Sequence, residues 1–181
     1  MGWKKWLGRD EAKSDPMVDF KLGAMKVGYL VDYDMNTWEV TGYNIYDYSG
    51  FTTKEWVLET SDKVVYLERA DSDGEIVWTL TESIPINNIS EDVVEHTVRH
   101  EDPPKTLNHN GRSYSLTESG AGLFLEDAEG PGQEFISWSY CDESGRNLLF
   151  ITQYGERDFK SVAGEYVEEY QFPNILPGGN G

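Results

Sequence analysis

The chain has 181 residues, which suits one domain of ordinary size or two small ones. It carries 33 Asp and Glu residues against 15 Lys and Arg residues, a formal charge of −18. Such a surface repels nucleic acid, whose recognition needs clustered basic side chains. Its single cysteine, Cys141, excludes an internal disulfide. No apolar run is long enough to span a bilayer, and charges interrupt the first ten positions, so we expect a cytoplasmic protein.

Residues 1–20 form a basic, aromatic tail and linker in an otherwise acidic chain. Its two tryptophans and a leucine stand three and four positions apart, which places them on one face of a helix, while the lysines lie mostly elsewhere. This pattern is typical of a short interfacial membrane anchor and of a peptide that docks in a partner's groove. A frayed terminus without contacts is the alternative. The predicted docking residues are Trp3, Lys4, Lys5, Trp6 and Leu7.

Residues 21–89 are predicted to form a first β unit. From Met25 onwards apolar and polar residues alternate with period two, which favours five or six short strands over residues 26–82. Turn-forming residues separate the strands at 34–36 and 71–74.

Residues 90–105 are predicted to be a bridge that ends in two prolines, and residues 106–176 a second β unit. The strongest hairpin signal of the chain is Asn110-Gly111 between alternating runs. Residues 177–181 are expected to be a flexible end.

The two units echo each other. The strand of Trp56 aligns with the strand of Trp138, and each unit closes on an Asn-Ile pair, at residues 88–89 and 174–175. We therefore predict a mostly β fold of antiparallel strands with a flexible N-terminal tail. The strands are arranged either as a sandwich or as two similar small β units.

Two features of the chain match a known family: its opening Met-Gly-aromatic-Lys-Lys-aromatic-Leu-Gly and a set of core-type positions, which are Gly28, Val31, Tyr33, Trp38, Val40, Trp56, Leu58, Leu67, Trp78 and Leu80. Through them the chain resembles the bacterial domain-of-unknown-function family 4178 over most of its length. The family has no assigned activity, so the resemblance implies no catalytic residue. It implies an association with phage-shock-type membrane-stress proteins and spermidine-synthase-like enzymes, and therefore an envelope or stress function.

No motif indicates catalysis, a cofactor or a metal. His96 and His100 are four residues apart, as metal ligands on a helix can be, but the β-branched residues between them and the following proline argue against a helix. His109 precedes a turn and is expected to be exposed. Trp38, Trp56 and Trp78 lie at strand positions that favour core packing over sugar stacking.

Three functions stay open from the sequence. The first is a non-enzymatic interaction protein that binds a protein partner or a cationic ligand and makes peripheral contact with the inner face of the membrane through its tail. The second is a small-ligand β module that binds a polyamine or a carbohydrate. The third is an enzyme of unknown type. We expect the first, and no enzymatic activity.

Overall fold

The computed structural model describes residues 21–89 and 92–178. One antiparallel sheet of ten strands dominates this part of the chain, and the one α-helix there lies between the fifth and sixth strands. The elements are β1 Leu30–Tyr33, β2 Asn36–Asp47, β3 Thr52–Glu59, β4 Val64–Ser72, β5 Glu75–Ser83, α1 Val93–His100, β6 Thr106–His109, β7 Arg112–Leu125, β8 Gln133–Asp142, β9 Asn147–Gly155 and β10 Asp158–Val167.

Eight of the ten strands close into a ring. The strand order is β1-β2-β3-β4-β5-β10-β9-β8-β7-β6, and β2 also pairs with β7. That additional pairing aligns Ile45 with Leu125 and Tyr46 with Phe124. The short strands β1 and β6 extend the sheet beside the first halves of β2 and β7. The predicted mostly β, antiparallel class is thus confirmed, and closure gives the sheet an inner and an outer face.

Each half of the chain supplies five strands in the same order, and two seams join the halves: β2 against β7, and β5 against β10. Trp56 pairs with Leu67 across β3 and β4, just as Trp138 pairs with Ile151 across β8 and β9. The matching pairs relate β3 and β4 to β8 and β9 by a pseudo-two-fold axis.

The apolar positions of the strands face outward into two hydrophobic cores. The first contains Trp56, Leu58 and Trp78, and the segment after β10 covers it with Phe172. Trp138, Tyr140, Leu149 and Ile151 belong to the second, which the segment after β5 covers with Ile89 and Val93. Each half therefore buries its tryptophans under chain that follows the last strand of the other half, which couples the two halves.

The bridge between the halves contains a helix at the position where the sequence argued against one. The side chain of Asp92 caps α1 by accepting a hydrogen bond from the Glu95 backbone N–H at 3.2 Å. Arg99 and His100 complement the dipole at the other end, and Glu101 ends the helix in the left-handed conformation at φ 63°. No helix of the described residues is long and apolar enough to cross a membrane.

Candidate functional site

The inner face of the closed sheet carries both polar and apolar side chains and surrounds a cavity of about 1120 Å³. Polar residues reach it because the strands alternate: on β3, Trp56 and Leu58 point to the outer core, so Thr53 and Glu55 point inward. Hydroxyl side chains from β5, β8 and β9, namely Thr79, Ser137, Ser139 and Thr152, line the same cavity. The volume is slightly above the roughly 300–1,000 Å³ of small-molecule sites.

Glu55 is the most deeply buried charged group, with 1% of its surface exposed. The amide of Asn44 donates a 2.8 Å hydrogen bond to one carboxylate oxygen, and the hydroxyl of Tyr46 donates a longer one of 3.5 Å to the other. The ammonium of Lys160 lies 3.8 Å from the same second oxygen. Lys160 also lies over the ring of Tyr66, 3.9 Å from its centroid. Glu55 is thus held as a paired and hydrogen-bonded carboxylate.

Two tyrosines link this cluster to the opposite wall. The hydroxyls of Tyr46 and Tyr154 lie 3.3 Å apart. Burial, together with the negative charge of Glu55, raises the pKa of Tyr46 well above its usual value and the pKa of Tyr154 to about 12. Both hydroxyl groups therefore stay protonated at neutral pH.

Glu68 lies opposite Glu55 on the neighbouring strand β4, and it has no such partners. It lines the cavity, and among the described residues nothing donates a hydrogen bond to it and no cation lies within ion-pair distance. Burial, followed by repulsion from Glu55, raises the pKa of Glu68 to about 8, although Lys160 opposes the shift. The residue is partly buried, and carboxyl groups with strongly raised pKa values concentrate at functional sites.

Each of the three charged positions, Glu55, Glu68 and Lys160, has an uncharged counterpart in the other half of the pseudo-symmetric ring. Glu55 precedes Trp56, and Ser137 precedes Trp138, so the paired strands make them equivalent. By the same registers Glu68 corresponds to Thr152, and Lys160 corresponds to Thr79. Residues with hydroxyl side chains thus occupy all three equivalent positions, on strands that pair in the same way. We conclude that the three charged residues are not required to close the sheet.

The exposed part of the cavity lining is acidic. Asp71 lies near the end of β4, Asp73 in the turn that follows, and Glu118 on β7. With Glu68, four carboxyl groups line the cavity against the ammonium of Lys160, and the guanidinium of Arg69 pairs with Asp71 at 3.2 Å. A smaller cavity of about 350 Å³ lies beside Trp56, where Lys26 and Asp127 are the charged residues of the lining.

The site predicted from the sequence is not the site described above. The predicted docking residues Trp3, Lys4, Lys5, Trp6 and Leu7 lie outside the described residues. The three tryptophans predicted to be core, Trp38, Trp56 and Trp78, are buried, which confirms that prediction.

The histidines correct two expectations. His96 and His100 do share a helix, with ring centroids 4.5 Å apart, because α1 forms. His109 was expected to be exposed, but it is buried, and its Nδ1 lies 3.2 Å from the carbonyl oxygen of Asn88. Among the described residues, no group of three or more His, Cys, Asp or Glu side chains is placed to hold a metal ion.

Sequence reasoning did not single out the residues that form this cluster in and beside the cavity: Asn44, Tyr46, Glu55, Tyr66, Glu68, Tyr154 and Lys160. A usable signal is present in β3 and β4, where Glu55 and Glu68 stand in phase with uncharged neighbours, Thr53 and Tyr66. A charged side chain on an otherwise uncharged strand face could equally face water. It indicates an interior site only when the sheet is known to close, because both faces of each strand are then covered.

Comparisons with known proteins place the chain in a family. The model of the family described as Domain of unknown function (DUF4178) matches residues 26–169, most of the chain. A relative from Aquifex aeolicus (strain VF5), named "Uncharacterized protein", is 25% identical over 175 residues, which cover 96% of each chain. No solved structure matches. The chain therefore belongs to the DUF4178 family, as its core residues and opening segment indicated.

Proposed function

We propose that this protein is a non-enzymatic binding protein that holds a small polar molecule inside its closed sheet. The observation that carries the proposal is Glu68, a carboxyl group that faces a cavity of about 1120 Å³ without a partner. A partly buried carboxyl group without a partner is costly to ionise, and a ligand that pairs with it offsets that cost.

The chemistry of the neighbouring groups favours binding over catalysis. Asn44, Tyr46 and Lys160 already contact the carboxyl oxygens of Glu55, so its side chain is fixed in place. The pKa of Tyr154, raised to about 12, disfavours a tyrosinate base at neutral pH. Rings and hydroxyls that stay protonated are suited to orienting a bound molecule.

The proposal predicts that filling the cavity abolishes ligand binding. Ala70 lines the cavity from β4, so Ala70→Trp places an indole in that space. We expect at least one compound in a panel of amines, sugars, carboxylates and nucleosides to raise the Tm of the wild type. At a hundredfold excess over Kd, the gain is about 3 kcal/mol, or several degrees. The rise should be absent in Ala70→Trp.

Ser113→Trp is the matched control, because Ser113 is an exposed residue of β7 that does not line the cavity. Its Tm should respond to the same compound as the wild type does. The proposal is wrong if no compound of the panel shifts the wild type, or if Ala70→Trp responds equally.

We propose a second function for the tail, which is docking to a membrane or a partner protein through Trp3, Lys4, Lys5, Trp6 and Leu7. The support is the contrast between a basic, aromatic segment and a chain of charge −18. The acidic remainder is repelled by anionic lipid, so the attraction must come from the tail, at about 1 kcal/mol per basic residue in addition to ring burial. Such docking places the protein at the cytoplasmic face of the membrane, where envelope-stress machinery acts.

Flotation with vesicles of anionic lipid measures this directly. We expect the wild type to float with the vesicles and Trp3→Ala/Trp6→Ala to stay in the dense fraction, because the double variant loses both rings that enter the interface. A Trp38→Phe variant keeps the tail and should float. Equal flotation of the wild type and the double variant, or none by either, would contradict a membrane role for the tail.

A further inference from the structure

The electrostatics of the cavity select the charge of its ligand. Glu68, Asp71, Asp73 and Glu118 line it, and Lys160 is the one cationic residue of that lining; Arg69 pairs with Asp71, which leaves three carboxyl groups without an ion-pair partner. A concave site lined mainly by one sign of charge focuses its field and concentrates ions of the opposite sign. The cavity therefore attracts cations and repels carboxylates and phosphates.

The chain's own ammonium group shows how the cavity holds such a cation. The nitrogen of Lys160 lies 3.8 Å from a carboxylate oxygen of Glu55 and 3.9 Å from the centre of the Tyr66 ring. A carboxylate combined with the face of an aromatic ring is a typical protein environment for an alkylammonium. Lys160 balances Glu55, which leaves Glu68 as the interior carboxyl without a cation.

Three tyrosines lie within electrostatic range of Glu68. Its charge is close enough to contribute to the raised pKa values of Tyr46, Tyr48 and Tyr154. The wall supplied by the other half of the chain presents hydroxyl groups, from Ser137, Ser139 and Thr152 among others. The cavity thus offers one carboxyl among rings for a cation and a hydroxyl-lined wall for the remainder of a polar molecule.

We infer that the ligand is a small organic ammonium compound whose nitrogen binds Glu68 among the tyrosine rings, beside Lys160. This inference rests on the proposed binding function and names the class of its ligand. An inorganic ion leaves most of a cavity of about 1120 Å³ unfilled, whereas an alkylammonium also provides a carbon chain that packs against the rings.

Proton exchange at Glu68 gives the binding a distinctive pH dependence. With a pKa of about 8, Glu68 is mostly protonated at neutral pH, and an ammonium ion binds its ionised form. The ionised fraction rises about tenfold per pH unit below the pKa and then levels off. Affinity should therefore increase from pH 6 to about 8, with release of a proton on binding, and stay constant above that.

The test is calorimetric titration with three four-carbon compounds of different charge: 1,4-diaminobutane, 1,4-butanediol and succinate. We expect the diamine to bind at least tenfold more tightly than the other two, with an affinity that rises several-fold or more per unit between pH 6 and 8. Glu68→Gln should weaken diamine binding at pH 8 at least tenfold and remove the pH dependence. Glu82→Gln, which removes an exposed carboxylate of β5, should behave as the wild type.

The outcomes separate this inference from the proposed function. Binding of the diol or of succinate in preference to the diamine would overturn the inference and leave the cavity as a binding site. Equal diamine affinity in the wild type and Glu68→Gln would place the diamine on the acidic exterior and overturn the inference as well. If none of the three binds and the wider panel produces no thermal shift, both proposals are wrong.

Discussion

Gly164→Ala should destabilise the protein by about 3 kcal/mol, at the upper end of what overpacking usually costs. Gly164 lies on β10 opposite Thr81, at the seam that joins the two halves of the chain. An added Cβ there would lie 2.7 Å from the Cα of Thr81 and closer still to the carbonyl oxygen of Leu80. Both are backbone atoms, so relief requires the two strands to move apart, which weakens their hydrogen bonds. Urea denaturation measures the loss.

Two further glycines provide a second test of this prediction and its control. Gly122 occupies the other seam, where a Cβ would lie 2.9 Å from the carbonyl carbon of Asp47, so Gly122→Ala should be similarly destabilising. Gly155 is the matched control: its Cβ would meet only the side chain of Asp158 at 3.5 Å, an ordinary contact, and Gly155→Ala should change stability by about 0.5 kcal/mol or less. A Gly164→Ala variant with the urea midpoint of the wild type would show that the seam tolerates a side chain.

The alternation of apolar and polar residues was sufficient to predict the strands but not the closure of the sheet. The hairpins at Asp34-Met35 and Asn110-Gly111 form where turn residues interrupt alternating runs, because their pairing is local. The pairing of Ile45 with Leu125 joins residues that are far apart in the chain, and no local pattern encodes it. Helix α1 extends across His96 and His100, where a helix was doubted, because its cap and its C-terminal charges outweigh the low helix propensity of Thr97 and Val98.

The site was missed for a related reason. In an open antiparallel sheet, the polar face of each strand is the one that contacts water, so Glu55 and Glu68 look like solvent-exposed residues in the sequence. Closure turns that face inward, while chain from the opposite half covers the apolar face. The same inversion explains why the predicted tryptophan core is correct although it lies outside the ring of strands.

Glu68→Gln should stabilise the protein at pH 8 by about 2 kcal/mol or more and leave its stability near pH 4 almost unchanged. The pKa of Glu68 is about 8 in the folded protein and 4.5 for an unperturbed glutamate. Between these values the unfolded chain has lost the proton that the folded chain retains, so the unfolded state binds fewer protons. Stability therefore falls as pH rises through this window, by up to about 1.4 kcal/mol per unit, and levels off above pH 8.

The difference in unfolding free energy between the wild type and Glu68→Gln separates the effect of Glu68 from the effects of the other titrating groups. Carboxylates with lowered pKa values affect stability only below this pH window. Hydrogen bonds from Thr37 and Asn174 lower the pKa of Asp32, for example, so its contribution to stability is lost only at a pH below the usual range of an aspartate. Urea denaturation at pH 4, 5, 6, 7 and 8 should give curves that coincide at the acid end and diverge steadily towards pH 8. Glu82→Gln should follow the wild type throughout. Parallel curves for wild type and Glu68→Gln would mean that water already solvates this carboxyl group as well as a ligand would. The proposal that Glu68 needs a ligand as its partner would then be wrong.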